Sequence, residues 1–179
     1  LKDEHFNPRT YSNDPFLVDG KPDGELHLPK EFSTKIEANA IVDYLSNNRN
    51  QRDTTQPFFM IWSINPPHNP WNEKSTYMEF YNQYLDESDS VQLAELLLRE
   101  NADSTVGHYA PYYFTNVTAI DYFIGKVTER LEAMNLMDNT IIVFSSDHGE
   151  MLGSHGRTGK NVPEMESFTI PFVVQWKNK

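Results

Sequence analysis

Three short apolar runs, at 57–64, 140–146 and 170–176, narrow the folds open to this chain more than any other pattern in it. The first reads Pro57-Phe58-Phe59-Met60-Ile61-Trp62-Ser63-Ile64 and the second Thr140-Ile141-Ile142-Val143-Phe144-Ser145-Ser146. They are rich in aromatic and β-branched residues and lack polar alternation, the pattern of strands buried on both faces. None approaches the roughly 18 apolar residues that a membrane-crossing helix needs. Helical periodicity fills the gaps between them. At 34–48, Ile36, Ala40, Ile41, Tyr44 and Leu45 form one apolar face, and Thr34 with Glu37 spells a capping box. At 111–135, Val117, Ile120, Ile124, Val127, Leu131 and Met134 recur at alternating steps of three and four, and Asn135 can end the helix. A shorter helix is expected near 91–100. Helices alternating with doubly buried strands predict an α/β fold, a mostly parallel sheet flanked by helices.

Composition removes several classes of function. One hundred and seventy-nine residues suit a single domain, and aromatic residues at 13% exclude a disordered chain. The absence of cysteine excludes a disulfide scaffold, a thiolate zinc site and a cysteine nucleophile within this sequence. A net charge of −11 argues against general nucleic-acid binding, which needs clustered Lys and Arg. The hydrophobic fraction of 38% lies below the usual range for globular chains, so either the loops are long or part of the core comes from sequence outside this chain. Residues 1–32 carry Pro8, Pro15, Pro22 and Pro29 and read as irregular surface, leaving 33–179 as the α/β portion. Leu1 and the lack of a signal-peptide pattern lead us to expect that the gene starts upstream.

In such folds ligands bind beyond the carboxyl ends of the strands, and two polar clusters fall there. The first strand runs into Asn65-Pro66-Pro67-His68-Asn69-Pro70, a proline-stiffened loop. Stiffness suits a general acid, which must be held within hydrogen-bond reach of its leaving group; a surface histidine is the plainer alternative. The second strand runs into Asp147-His148-Gly149-Glu150. A carboxylate at a strand end, with Gly149 permitting close backbone approach, suits a divalent cation, and equally a helix cap or a solvated turn. His155, Arg157 and Lys160 then form a locally basic patch in an acidic chain, suited to a small anion or simply to solvent. Asn116-Val117-Thr118 matches a glycosylation sequon, but lies inside an expected helix.

Together these stretches resemble the sulfatase family of the alkaline-phosphatase superfamily. The resemblance is carried by the 57–70 strand with its Pro-His-x-Pro loop and by the 112–127 helix with Ala119-Ile120-Asp121 and Gly125. The segment from Ser145 to Gly156, the lysine at 160 and the 171–176 strand complete it. It implies that Asp147 and His148 form half of a Ca2+ site (or one for another divalent cation), and that His68 and Lys160 contact the sulfate ester. His155 is a weaker candidate for substrate binding at the rim. The family's nucleophile is a formylglycine made from a Cys/Ser-x-Pro-x-Arg motif, which this chain lacks, as it lacks the neighbouring Asp pair and the Gly-Lys-Trp-His stretch. After the lysine, Glu164-Met165-Glu166-Ser167 keeps only the last two residues of the usual Tyr-Glu-Glu-Ser.

The resemblance therefore implies the central part of a sulfatase catalytic domain, without the nucleophile region and the C-terminal subdomain, and inactive as an isolated chain. It implies a sulfated small molecule or glycan as substrate, and a periplasmic, lysosomal or secreted location. Two alternatives stay open: a phosphate or phosphonate ester hydrolase of the same superfamily, and a non-catalytic binding domain with the same fold. Nothing in the sequence speaks to oligomeric state.

Overall fold

The structure, a computed structural model, describes residues 16–17, 26–27, 31–50, 52–84 and 98–177. The helix expected near 91–100 lies almost entirely outside them. Within the stretch expected to be irregular, β1 (Phe16–Leu17) pairs antiparallel with β2 (Leu26–His27).

Helix α1 spans Ser33–Ser46 and closes on Asn47, whose left-handed backbone returns its N–H to the last turn. The expected capping box does not form. Phe32 is the N-cap and offers no side-chain bond; Thr34 lies inside the first turn with its hydroxyl buried. Glu37 is engaged elsewhere, accepting the indole N–H of Trp62 at 2.8 Å. That tertiary bond ties α1 to the 57–64 segment.

Helix α2 spans Ala110–Ala133, with Pro111 in its first turn, where a missing N–H costs nothing. Asn135 ends it with φ 56°. The buried stripe is rotated from the expected one: Ala119, Ile120, Phe123 and Leu131 are buried, whereas Val117 is exposed. Phe123 takes the place because it meets aromatic partners, stacking edge-on against Tyr77 with ring centres 5.3 Å apart. Asn116, the sequon residue, is buried and donates to the Ser75 carbonyl, so it is structural.

Two apolar clusters join the helices. Phe32, Ala38, Ala119 and Phe123 form one, packed by Trp62, Tyr77 and Phe80. Leu45, Leu131 and Met137 form the other, packed by Tyr44, Phe58 and Ile142. Val127 of α2 touches both.

Strand β3 spans Ile142–Ser145, α3 is the single turn Met165–Phe168, and β4 spans Phe172–Gln175. The sheet departs from expectation. β4 pairs with β3 antiparallel, Ile142 opposite Gln175 and Ser145 opposite Phe172, and among the described residues no parallel pair occurs. A parallel neighbour needs a long crossover that returns the chain to its starting edge; here the 146–171 connection folds back on itself and delivers β4 in the opposite sense. The 57–64 run joins no ladder. Its side chains still alternate as in a strand. Phe58 and Trp62 turn towards the helices, while Phe59 (88% exposed) and Ile61 (78%) turn away. Val143, Phe172, Val173 and Val174 are exposed too, so the strands are buried on one side at most rather than on both.

Beyond β3 the chain is pinned at Gly149. Its N–H donates to the Ser167 carbonyl at 2.8 Å. A Cβ there would stand 2.0 Å from the Glu166 carbonyl oxygen and 2.9 Å from that of Thr169, both backbone atoms. The close approach expected of this glycine is therefore towards the 166–169 backbone. Replacing Gly149 by Ala should cost about 1–3 kcal/mol, the range for an overpacked site, read as a lowered denaturant midpoint at unchanged slope. An unchanged midpoint would show that this contact is not close.

Candidate active site

The His68 loop is built on aromatic support. Both the Pro66–Pro67 and Asn69–Pro70 peptide bonds are cis. Trp71 is buried, and its indole N–H donates to the Pro67 carbonyl at 2.7 Å. Its ring packs edge-on against Tyr113 and at a tilt against Tyr109, with centres 5.7 and 6.2 Å apart. These two tyrosines lie at the start of α2, so the loop rests on the end of the longest helix. The His68 N–H returns to the Asn65 carbonyl at 3.1 Å, closing a turn. The imidazole is then oriented by its own neighbour. Nδ1 lies 2.7 Å from the Asn69 carbonyl, an acceptor only, so Nδ1 carries a proton and Nε2 is the outward edge.

That edge meets Lys160. The Nζ to Nε2 distance is 2.8 Å, across 92 residues of sequence. With Nδ1 protonated, the ammonium donates and Nε2 accepts. The two groups expected to contact one substrate thus stand together.

Lys160 is delivered by a tightly wound loop. Leu152, Gly153, His155, Gly156, Gly159 and Asn161 all have positive φ. The loop is closed by backbone bonds from Gly153 to the Arg157 carbonyl, 2.7 Å, and from Met151 to the Gly159 carbonyl, 2.9 Å. Glu150 adds a side-chain clamp: one oxygen, Oε1, accepts the N–H groups of Leu152 at 3.1 Å and Gly159 at 2.5 Å. Burial first, and then the Glu150 charge, push the Tyr113 hydroxyl above its ordinary range, with Arg99 opposing.

Asp147 and His148 follow β3 directly. His148 repeats the His68 arrangement, with Nδ1 2.7 Å from the Gly149 carbonyl, which leaves Nε2 as the coordinating nitrogen. Nε2 lies 3.4 Å from Asp147 Oδ2, so the two donors converge. A carboxylate oxygen and an imidazole fit a divalent cation as a partial donor set. Ca2+ takes six to eight ligands, mostly oxygen. Among the described residues no group of three or more His, Cys, Asp or Glu stands together.

His155 is turned to other partners. It faces Glu166 at 3.5 Å and Asn101 at 3.4 Å, and Arg99 joins the same carboxylate at 3.0 Å. This cluster ties the glycine-rich loop to 99–101 and α3. Arg157 is paired with Glu164 at 3.1 Å, so two of the three basic groups read as a local anion patch already have carboxylates of this chain beside them. The sequence assigns no role to Trp71 or Tyr113 and groups Glu150 with the strand-end residues suited to a cation, a cap or a turn, whereas it accepts two backbone N–H groups of the loop. Trp71, directly after a proline-rich loop, was the most visible of them; the two hydrogen bonds of Glu150 leave no signature in spacing.

The Sulfatase family model matches residues 3–179. The endo-4-O-sulfatase of Bacteroides thetaiotaomicron is 38% identical over 182 residues, 99% of this chain and 33% of that protein. The N-acetylglucosamine-6-O-sulfatase of the same organism is 37% identical and is matched by 86% of this chain over 40% of its own length. A solved structure described under metabolism of multiple glycosaminoglycans by Bacteroides thetaiotaomicron superposes with a TM-score of 0.85 at 36% identity, over 95% of this chain and 34% of that one. The chain thus spans about a third of the length of the first of these relatives. With that structure it shares the α/β architecture of the alkaline-phosphatase superfamily, of which it forms a part. The match over nearly the whole sequence places this chain in the sulfatase family.

Proposed function

We propose that this chain forms part of the active site of a sulfuric ester hydrolase acting on a sulfated glycan. The observation that carries the reading is the 2.8 Å approach of Lys160 to His68 in a sulfatase-family chain. Cleavage of a sulfate ester concentrates negative charge on the sulfuryl oxygens and on the departing alkoxide. An ester seated between the two side chains would replace their direct contact. The Lys160 ammonium then donates to a sulfuryl oxygen, a fixed charge where charge develops. His68 Nε2, once the ammonium has left it and it has taken up a proton from solvent, donates that proton to the leaving oxygen as general acid, while the Asn69 carbonyl holds Nδ1–H and so fixes the ring.

Asp147 and His148 Nε2 are the residues here that would hold a divalent cation, Ca2+ by family resemblance. Such a cation polarises the sulfuryl oxygens and offsets their charge when bound. Its remaining ligands, and the formylglycine nucleophile, belong to sequence outside this chain: there is no cysteine and no Ser-x-Pro-x-Arg stretch in it. On this reading the 179 residues are the central part of a catalytic domain and are inactive alone. The glycan assignment is supported by the relative named N-acetylglucosamine-6-O-sulfatase and by the solved structure described under glycosaminoglycan metabolism. Family resemblance takes the parent protein to the periplasm, a lysosome or the cell exterior.

The protein expressed from its complete reading frame should release sulfate from 4-O- or 6-O-sulfated oligosaccharides, followed by ion chromatography. It should prefer sulfate to phosphate esters of the same alcohol and lose turnover on chelation. Lys160→Ala should lower kcat/KM by about 10²–10³-fold, as loss of one donor to a developing oxyanion does. Preference for the phosphate ester would move the protein to the other branch of the superfamily. Wild-type rates in the Lys160→Ala variant would remove the lysine from the chemistry.

A further inference from the structure

We infer that Glu150 is a positioning residue that sets the place of Lys160. The inference rests on the proposed reading for its kinetic consequence, but its structural content stands on hydrogen bonds alone. Lys160 is a long, flexible side chain, and its ammonium can meet His68 reproducibly only if its backbone is fixed. The residue before it, Gly159, is held from both sides of its peptide. Its N–H donates to Glu150 Oε1 at 2.5 Å, and its carbonyl accepts from the Met151 N–H at 2.9 Å. Gly159 has φ 84° and no atom within contact distance of a Cβ, so side-chain packing does not hold it. The same Oε1 also takes the Leu152 N–H at 3.1 Å. Leu152 has φ 38°, a left-handed value that a branched side chain adopts only when its surroundings impose it. One carboxylate oxygen thereby spans the mouth of the 152–159 loop and joins its first residue to its last.

The base of the clamp is itself fixed. Glu150 follows Gly149, whose backbone is locked against 166–169. Trp71 holds the His68 loop through the Pro67 carbonyl. The lysine side of the Lys160–His68 pair is therefore referred through Glu150 to the 166–169 backbone, and the histidine side through Trp71 to the start of α2. Because both bonds use a single oxygen acceptor, the role needs a carbonyl-type oxygen at the right reach and not a negative charge. This separates it from a ligand role, which the neighbouring Asp147 and His148 would suggest for any carboxylate nearby.

Two conservative variants of the complete protein test it. In Glu150→Gln the Oε1 acceptor keeps its place and the charge is lost. In Glu150→Asp the charge is kept and the acceptor is withdrawn by one methylene. Hydrogen exchange at the Gly159 amide should match wild type in the Gln variant and run about tenfold faster in the Asp variant, the factor for one net hydrogen bond. On a sulfate ester, kcat should stay within about threefold for Gln and fall on the order of 10²-fold for Asp, the effect of a misplacement near 1 Å, with KM moving less. Asp matching wild type while Gln fails would overturn the inference in favour of a charge role. Equal behaviour of the two variants, in exchange or in kcat, would overturn it as well. If the wild-type protein turns over no sulfate ester, the proposed function fails, and the Gly159 exchange comparison still decides the role of Glu150.

Discussion

A lysine and a histidine 92 residues apart in sequence meet at 2.8 Å, and the features around them act to keep that distance. Neither side chain could hold the contact unaided, since a flexible ammonium and a loop imidazole would each lose conformational freedom on ordering. The histidine is held by its own backbone and by Trp71 braced on Tyr109 and Tyr113. The lysine is held by a loop of left-handed turns closed across its mouth by Glu150. The start of α2 supports the histidine arm, and α2 is in turn fixed against α1 through the two apolar clusters.

The strands are built differently. Phe59, Ile61, Val143, Phe172 and Val174 present an apolar surface, and β3 and β4 have only each other as ladder partners among the described residues. Layered α/β folds cover both faces of their sheet, and apolar patches of this kind are seldom left bare. The relatives named above are about two and a half to three times as long as the part matched, which accords with a sheet whose second layer is drawn from elsewhere in such proteins.

How much of this was legible from sequence differs by the kind of interaction involved. Helix α2 and its end at Asn135 were visible in the three-and-four spacing, because a 3.6-residue period leaves a direct trace. Its buried stripe was misread, since Phe123 wins its position through aromatic partners from distant segments. The capping box at Thr34 failed for a similar reason: Glu37 is drawn to Trp62, 25 residues away, and local capping competes poorly with that bond. Strand positions near 142–145 and 172–175 were readable from apolar runs. Their antiparallel sense was not, because pairing direction depends on how the intervening chain returns. Of the candidate site, His68 and Lys160 were found by resemblance and brought together by the fold. His155 has Glu166 and Asn101 as its neighbours, contacts no local pattern encodes.

The most direct test of the account is a double-mutant cycle on the complete protein, with His68→Ala, Lys160→Ala and the two combined, scored by kcat/KM for a sulfate ester. Groups that grip one ester as a unit are non-additive. The account predicts that the double variant is scarcely worse than the poorer single variant. Losses that multiply would mean that the two side chains act independently, and that their contact is not the centre of the site.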